Sequence, residues 1–229
     1  MIKSLQILQG LFFFTCTSPH LGFILAIRRG GATIRRVNMP TDHRKLLCEE
    51  LQRYLHSHPE RAEVAQQILD FVVQTPDCFC RSHVAGHITG SAWLLSPDGS
   101  QALLTLHRKL GRWLQPGGHA DGCSDTLSTA LREATEESGM SGIVPLLREI
   151  YDVDIHRIPA RAQEPAHLHY DIRYLLRAPH TQFCVSHESD DLAWWAPQDF
   201  ANRRAELDEA VLRMARLWVA RQGLAAPAF

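Results

Sequence analysis

Residues Gly117 to Met140 read GGHADGCSDTLSTALREATEESGM, and the rest of the chain is organised around them. Leu127, Ala130, Leu131 and Ala134 recur at spacings of three and four. That period predicts a helix over Thr126 to Glu137 with a narrow apolar stripe. Gly139 is placed to stop it. Glu133, Glu136 and Glu137 fall at i, i+3 and i+4, so three carboxylates share one helix face. Like charges at that spacing destabilise an isolated helix by roughly 0.2–0.5 kcal/mol per pair. A hard divalent cation, Mg2+ or Mn2+, removes that cost, because clustered carboxylate oxygen is what such ions take. The plainer account is a solvated acidic face, with Arg132 offsetting Glu136 across one turn.

The spacing of the whole stretch resembles the Nudix box: a glycine, five residues, Glu, seven residues, Arg-Glu, an apolar residue, any residue, Glu-Glu, any residue, Gly and an apolar residue. Gly118 takes the first position, followed by Arg132-Glu133, Ala134, Glu136-Glu137, Gly139 and Met140. One position departs: Ser124 stands where the pattern has its first Glu. Asp121 and Asp125 flank Ser124 and are candidates to take over that role, which is to help fix Arg132. The resemblance implies an α+β fold, a mixed sheet sandwiched between helices, here with an N-terminal helical extension. It implies that the carbonyl of Gly118 and the carboxylates of Glu133, Glu136 and Glu137 hold Mg2+ or Mn2+, with Arg132 orienting the carboxylates. The general base is then Glu133, Glu136 or Glu188, the last an acidic residue before a Trp-containing strand. The implied activity is metal-dependent hydrolysis of a diphosphate linkage in a nucleoside diphosphate derivative. The alternative is a catalytically weak ligand-binding or sensor module on the same fold.

Composition bounds the rest. The chain has 229 residues, 45% hydrophobic and 21% charged, with a formal net charge of −1. That excludes a nucleic-acid-coating surface and leaves a small nucleotide-like molecule as the expected partner, with a homodimer open. The six cysteines, Cys16, Cys48, Cys78, Cys80, Cys123 and Cys184, have no paired zinc-type spacing. Free thiols and a cytoplasmic location are the simpler account. Neither apolar run near the N-terminus reaches the ~20 residues of a membrane span.

Residues 1–38 carry two readings. One is a weak signal peptide, Lys3 followed by an apolar core near Leu8 to Phe14. The other is a disordered or non-native upstream segment, with translation starting at Met39. Residues 39–82 predict a helical pair: Asp42 caps a helix to about His56, and Pro59 opens a second one that ends at Thr75. It either packs on the sheet or forms a dimer contact. From 83 to 225 the catalytic domain is expected. Gly90 to Leu95 and Gln101 to His107 form a hairpin about a Ser96–Gly99 turn. Arg108, Lys109 and Arg112 are a solvated basic loop or a phosphate contact. Trp113 precedes the Pro-Gly-Gly turn and is expected in the core. His167, His169, Asp171 and Arg173 alternate with apolar residues, giving a strand with a polar face. That face either meets solvent or looks toward the carboxylate helix. In the second case His167, His169 and Arg173 bind substrate, the histidines by hydrogen bonding or as general acids. Pro197 to Phe200 opens a closing helix that buries Leu207, Val211, Met214 and Trp218.

Overall fold

The computed structural model describes residues 2–8, 11–18, 21–27, 40–160, 165–186 and 189–223, the first three spans as backbone only. The expected start at Met39 and the candidate base Glu188 lie outside the described residues. Strands β1 (Ile2–Leu8), β2 (Leu11–Ser18) and β3 (Leu21–Ile27) pair antiparallel as a sheet of their own.

Helices α1 (Lys45–Ser57) and α2 (Ala62–Gln74) follow, the second led in by a 3-10 turn at Pro59–Arg61. Asp42 does not cap α1. Its carboxylate accepts from the Arg44 backbone N–H at 3.0 Å and from the Arg44 guanidinium, closing a turn two residues on, so the helix starts later, at Lys45. Arg44 then donates to the carbonyls of Val72 and Val73, both at 3.1 Å, near the C-terminal end of α2. A cation there meets orphan carbonyls and the negative end of the helix dipole. Leu47, Leu51, Ile68, Leu69 and Val72 bury the apolar stripes of the pair in the core against the main sheet.

The main sheet is built from β4 (Gly86–Leu95), β5 (Ala102–His107), β6 (Arg112–Leu114), β7 (Gly117–His119), β8 (Val144–Pro145), β9 (Asp152–Ile158), β10 (His167–Arg177) and β11 (Ser189–Trp195). The path runs β11-β5-β4-β10-β8, with β6 on β5, β7 on β4 and β9 on β10. The β4–β10 pair is parallel and the others antiparallel, so the sheet is mixed. Helix α3 (Thr126–Ser138) joins α1 and α2 over one face, where Ile88, Ala92, Ile172 and Tyr174 are buried. Helices α4 (Pro197–Asn202) and α5 (Glu209–Arg221) cover Trp93, Leu95 and Leu175 on the other. The single closing helix expected from Pro197 is therefore two. Asp208 accepts from the Val211 N–H at 3.0 Å and starts α5 afresh, after an extended Leu207. Trp113 is buried edge-to-face on Trp195, with ring centroids 5.4 Å apart, which is the core role expected of it.

Strand β4 begins four residues earlier than the expected Gly90. His87 and Thr89 break its apolar period because they face a polar partner strand, which no local pattern reveals. Gly90 has a separate job: a Cβ there would lie 2.8 Å from the Thr126 carbonyl and 2.9 Å from the Thr129 side chain. The glycine lets α3 rest directly on β4. Gly90→Ala is expected to cost about 1–3 kcal/mol as overpacking. A thermal melt checks it, and an unchanged Tm means that α3 does not sit this close.

Candidate active site

The local sequence fixes both ends of α3. Asp125 accepts from the Ser128 N–H at 3.1 Å as the N-cap, and Thr126 bonds the buried Tyr174 hydroxyl at 2.7 Å. Gly139 takes a left-handed φ of 70° and ends the helix. Ala130, Ala134 and Ser138 face the core, which turns the acidic side of α3 toward β7.

There the carboxylates meet the glycines. Glu137, buried, accepts from the Gly117 N–H at 2.8 Å. A Cβ on Gly118 would lie 2.6 Å from the Glu133 carboxyl carbon, so that carboxylate occupies the space a side chain would fill. Glu136 is more exposed. Arg132 binds Glu133 at 2.8 Å and Glu136 at 3.1 Å, and donates to the His119 carbonyl at 2.7 Å. Anionic oxygens closing on a glycine backbone form a donor set that fits a hard divalent cation.

Neither aspartate beside Ser124 holds Arg132 by a hydrogen bond. Asp121 is bound through both oxygens by Arg81, 2.6 Å from its Nε, and Asp125 serves the helix cap. Arg81 keeps the Asp121 carboxyl below its ordinary range. The grip on Arg132 comes from the His119 carbonyl instead. A backbone acceptor leaves no mark in the sequence, so only the fold reveals it.

The other candidates divide. Arg108 pairs with Asp190 at 2.8 Å and with the Ser189 carbonyl at 2.9 Å, while Lys109 and Arg112 are exposed on the same loop and strand start. The polar face of β10 lies away from the carboxylate helix, with Asp171 and Arg173 buried and His169 half-buried at its end. Gly90 presents its α3-facing side to Thr126, so the alternate positions Thr89 and Ser91, with their register partners Asp171 and Arg173, lie on the reverse of the sheet. Arg173 is 2% exposed and bound to Asp171 at 2.7 Å, Asp152 at 2.9 Å and Asp154 at 3.2 Å. Its guanidinium is committed to the interior and not presented to a substrate. Asp171 also accepts from Thr89 at 2.9 Å and Ser91 at 2.7 Å.

His167 and His169 sit at the end of this face with His87, and His119 and His156 meet the His169 ring edge-on. Burial, with the neighbouring charges of His156, His119, His87 and His167, pushes the His169 imidazole down to about 2. That direction favours the neutral ring. Among the described residues, His87, His167 and His169 are the one group of three whose ligand atoms all lie within 4.8 Å of one another. His87 and His119 were not singled out in the sequence, because they are far from His167 along the chain and only strand register joins them.

No helix among the described residues is long and apolar enough to cross a membrane, and the five described cysteine side chains are free thiols. No curated protein matches the chain. Among solved structures it is similar to a NUDIX-family hydrolase from Clostridium perfringens, at 22% identity and a TM-score of 0.50, over 59% of this chain and 97% of that one. It is also similar to the Escherichia coli dihydroneopterin triphosphate pyrophosphohydrolase, at 13% identity and a TM-score of 0.45, over 58% and 95% of the two chains. A Caenorhabditis elegans Ap4A hydrolase shares 19% identity at a TM-score of 0.41, over 59% and 97%. The first of these supports the fold. A family model of the NUDIX domain matches residues 87–215, more than half the chain. With the box helix, the glycine strand and the mixed sheet all in place, the chain belongs to the Nudix family, whose hydrolases act on pyrophosphate bonds.

Proposed function

We propose that the chain hydrolyses a diphosphate linkage in a nucleoside diphosphate derivative, with Mg2+ or Mn2+ held by Glu133, Glu137, the Gly118 carbonyl and, directly or through water, Glu136. The observation that carries this is the closure of Glu133 and Glu137 on Gly118 and Gly117. A diphosphate resists water because its oxygens repel the attacking lone pair. The bound ion supplies neutralisation of those oxygens and acidification of water. The chain's own residues do the rest. Arg132 holds the carboxylates in one orientation by charge-assisted bonds, itself anchored on the His119 carbonyl. The glycine backbone leaves room for a phosphate to approach. Lys109 and Arg112 are exposed cations that suit the phosphate tail of a substrate. The proton acceptor is a carboxylate from Glu133, Glu136 or Glu188.

A panel of nucleoside diphosphate derivatives, assayed with Mg2+ for released phosphate or nucleoside monophosphate, tests the reading. Turnover of at least one compound, abolished by chelation, is expected. Tight binding without turnover, measured calorimetrically in Mg2+, reverses the reading in favour of a sensor module.

A further inference from the structure

His167 and His169 lie at i and i+2 of β10, so their rings leave the sheet on one face. Strand pairing sets His169 directly beside His87 of β4. The His87 ring centroid is 4.9 Å from those of both His167 and His169, and 4.9 Å from that of His119 on β7. Four imidazoles thus converge from three strands.

Their hydrogen bonding is specific. His167 Nδ1 is 2.9 Å from the Pro165 carbonyl. A carbonyl only accepts, so Nδ1 carries the proton and Nε2 keeps its lone pair. That lone pair points at His169 Nε2, 3.2 Å away. Metal-bound histidines almost always donate the other ring N–H to a carbonyl or carboxylate, which fixes the tautomer. The separation has the same sense: two nitrogens bound tetrahedrally to one Zn2+ at about 2.0–2.1 Å lie about 3.3 Å apart. The His87 ligand nitrogen is within 4.8 Å of both, so a small ring movement closes the set. An anion is the other ligand a histidine cluster could take, and it needs protonated rings. The His167 Nε2 lone pair, fixed by the Nδ1–H bond to the Pro165 carbonyl, faces into the cluster, and a neutral imidazole nitrogen is what a borderline transition metal binds.

We propose that His87, His167 and His169 form a three-imidazole site for a divalent transition metal of the Zn2+ class, separate from the carboxylate site on α3, with His119 at its rim. The two sites share β7. Its His119 side chain borders the imidazoles, and its His119 carbonyl anchors Arg132.

Full-length protein stripped with a chelator and titrated with Co2+ tests this. One equivalent is expected to give the visible absorption of low-coordinate, nitrogen-bound Co2+, displaced by Zn2+. Glu133→Gln should retain it, whereas His169→Gln should weaken uptake by more than about 100-fold, beyond the range of outer-shell changes. Wild-type protein carrying 15N-histidine needs no variant. Zn2+ is expected to shift the ring nitrogens of His87, His167 and His169 together, and Zn2+ at about 100 times its Kd to raise Tm by about 5–10 °C. The site is overturned if wild type takes up no Co2+ or Zn2+, if uptake disappears in Glu133→Gln, or if ring nitrogens outside this cluster shift instead.

Discussion

Glu133→Gln is expected to lower the hydrolytic rate by about 10²- to 10⁴-fold, the span covered by loss of a positioned acid–base group or of charge on a metal ligand. The substitution keeps shape and volume, so the amide still fits the space over Gly118 that the carboxylate fills. What it removes is the negative charge. Arg132 then keeps Glu136 at 3.1 Å and the His119 carbonyl at 2.7 Å, so its position survives. The stability change stays within about 1 kcal/mol, because a partly exposed pair contributes little and the repulsion from Glu136 and Glu137 is relieved at the same time. The measurement is kcat and KM with Mg2+ beside a thermal melt. A rate equal to wild type removes Glu133 from the site, whereas a lost rate with a collapsed melt assigns it to the fold.

Arg173→Met should produce the largest loss of stability, about 3–5 kcal/mol, or roughly 6–20 °C in Tm. The carboxylates of Asp152 and Asp171 are buried, at 0% and 2% side-chain exposure, and Arg173 sits between them. Without it Asp152 retains Arg213 at 2.8 Å, and Asp171 retains only neutral donors, among them Thr89 and Ser91. Uncompensated buried charge is what makes breaking such a network costly. Arg173→Lys recovers only part, since one ammonium cannot bridge both carboxylates in the plane that the guanidinium spans.

The acid limb of the stability curve gives a second readout. Burial pushes the Asp154 carboxyl up, but His156 and the Arg173 and Arg213 guanidinium groups pull it down further, leaving it well below the usual carboxylate range. A depressed folded-state value contributes stability that is full above the unfolded value of about 3.8 and is lost as pH falls through and below it. With Arg173 gone, that contribution shrinks. The gap between variant and wild type is therefore expected to be widest near neutral pH and to narrow below about pH 4. A gap that stays constant into acid means that the network acts by packing and not by charge.

The parts of this protein that could be read from sequence are those in which neighbours along the chain are neighbours in space. Period and capping gave α3 within one residue, and i, i+3, i+4 spacing put Glu133, Glu136 and Glu137 on one side of it. The helical pair, the hairpin and the buried Trp113 followed the same local rules. Asp42 and the closing helix depart from the local pattern where two signals compete. A carboxylate can serve a turn as well as a cap, and Asp208 restarts a helix that apolar spacing alone would have run through.

The stretch Gly117–Met140 by itself determined the family and the reaction class, because the box lies within one strand, one loop and one helix. Tertiary structure decided what surrounds it. Pairing β10 in parallel with β4 turned a polar-faced strand from a candidate substrate surface into a buried network about Arg173 and Asp171. The same register gathered His87, His167 and His169, which are scattered over 80 residues of sequence. The antiparallel pairing of β7 with β4, and the packing of α3 beside it, set the His119 carbonyl under Arg132, in place of the Asp121 or Asp125 that the departure at Ser124 suggests. Each of these contacts depends on which strands pair and in what register. Distant residues and backbone atoms set that pairing, so no window of the sequence contains it.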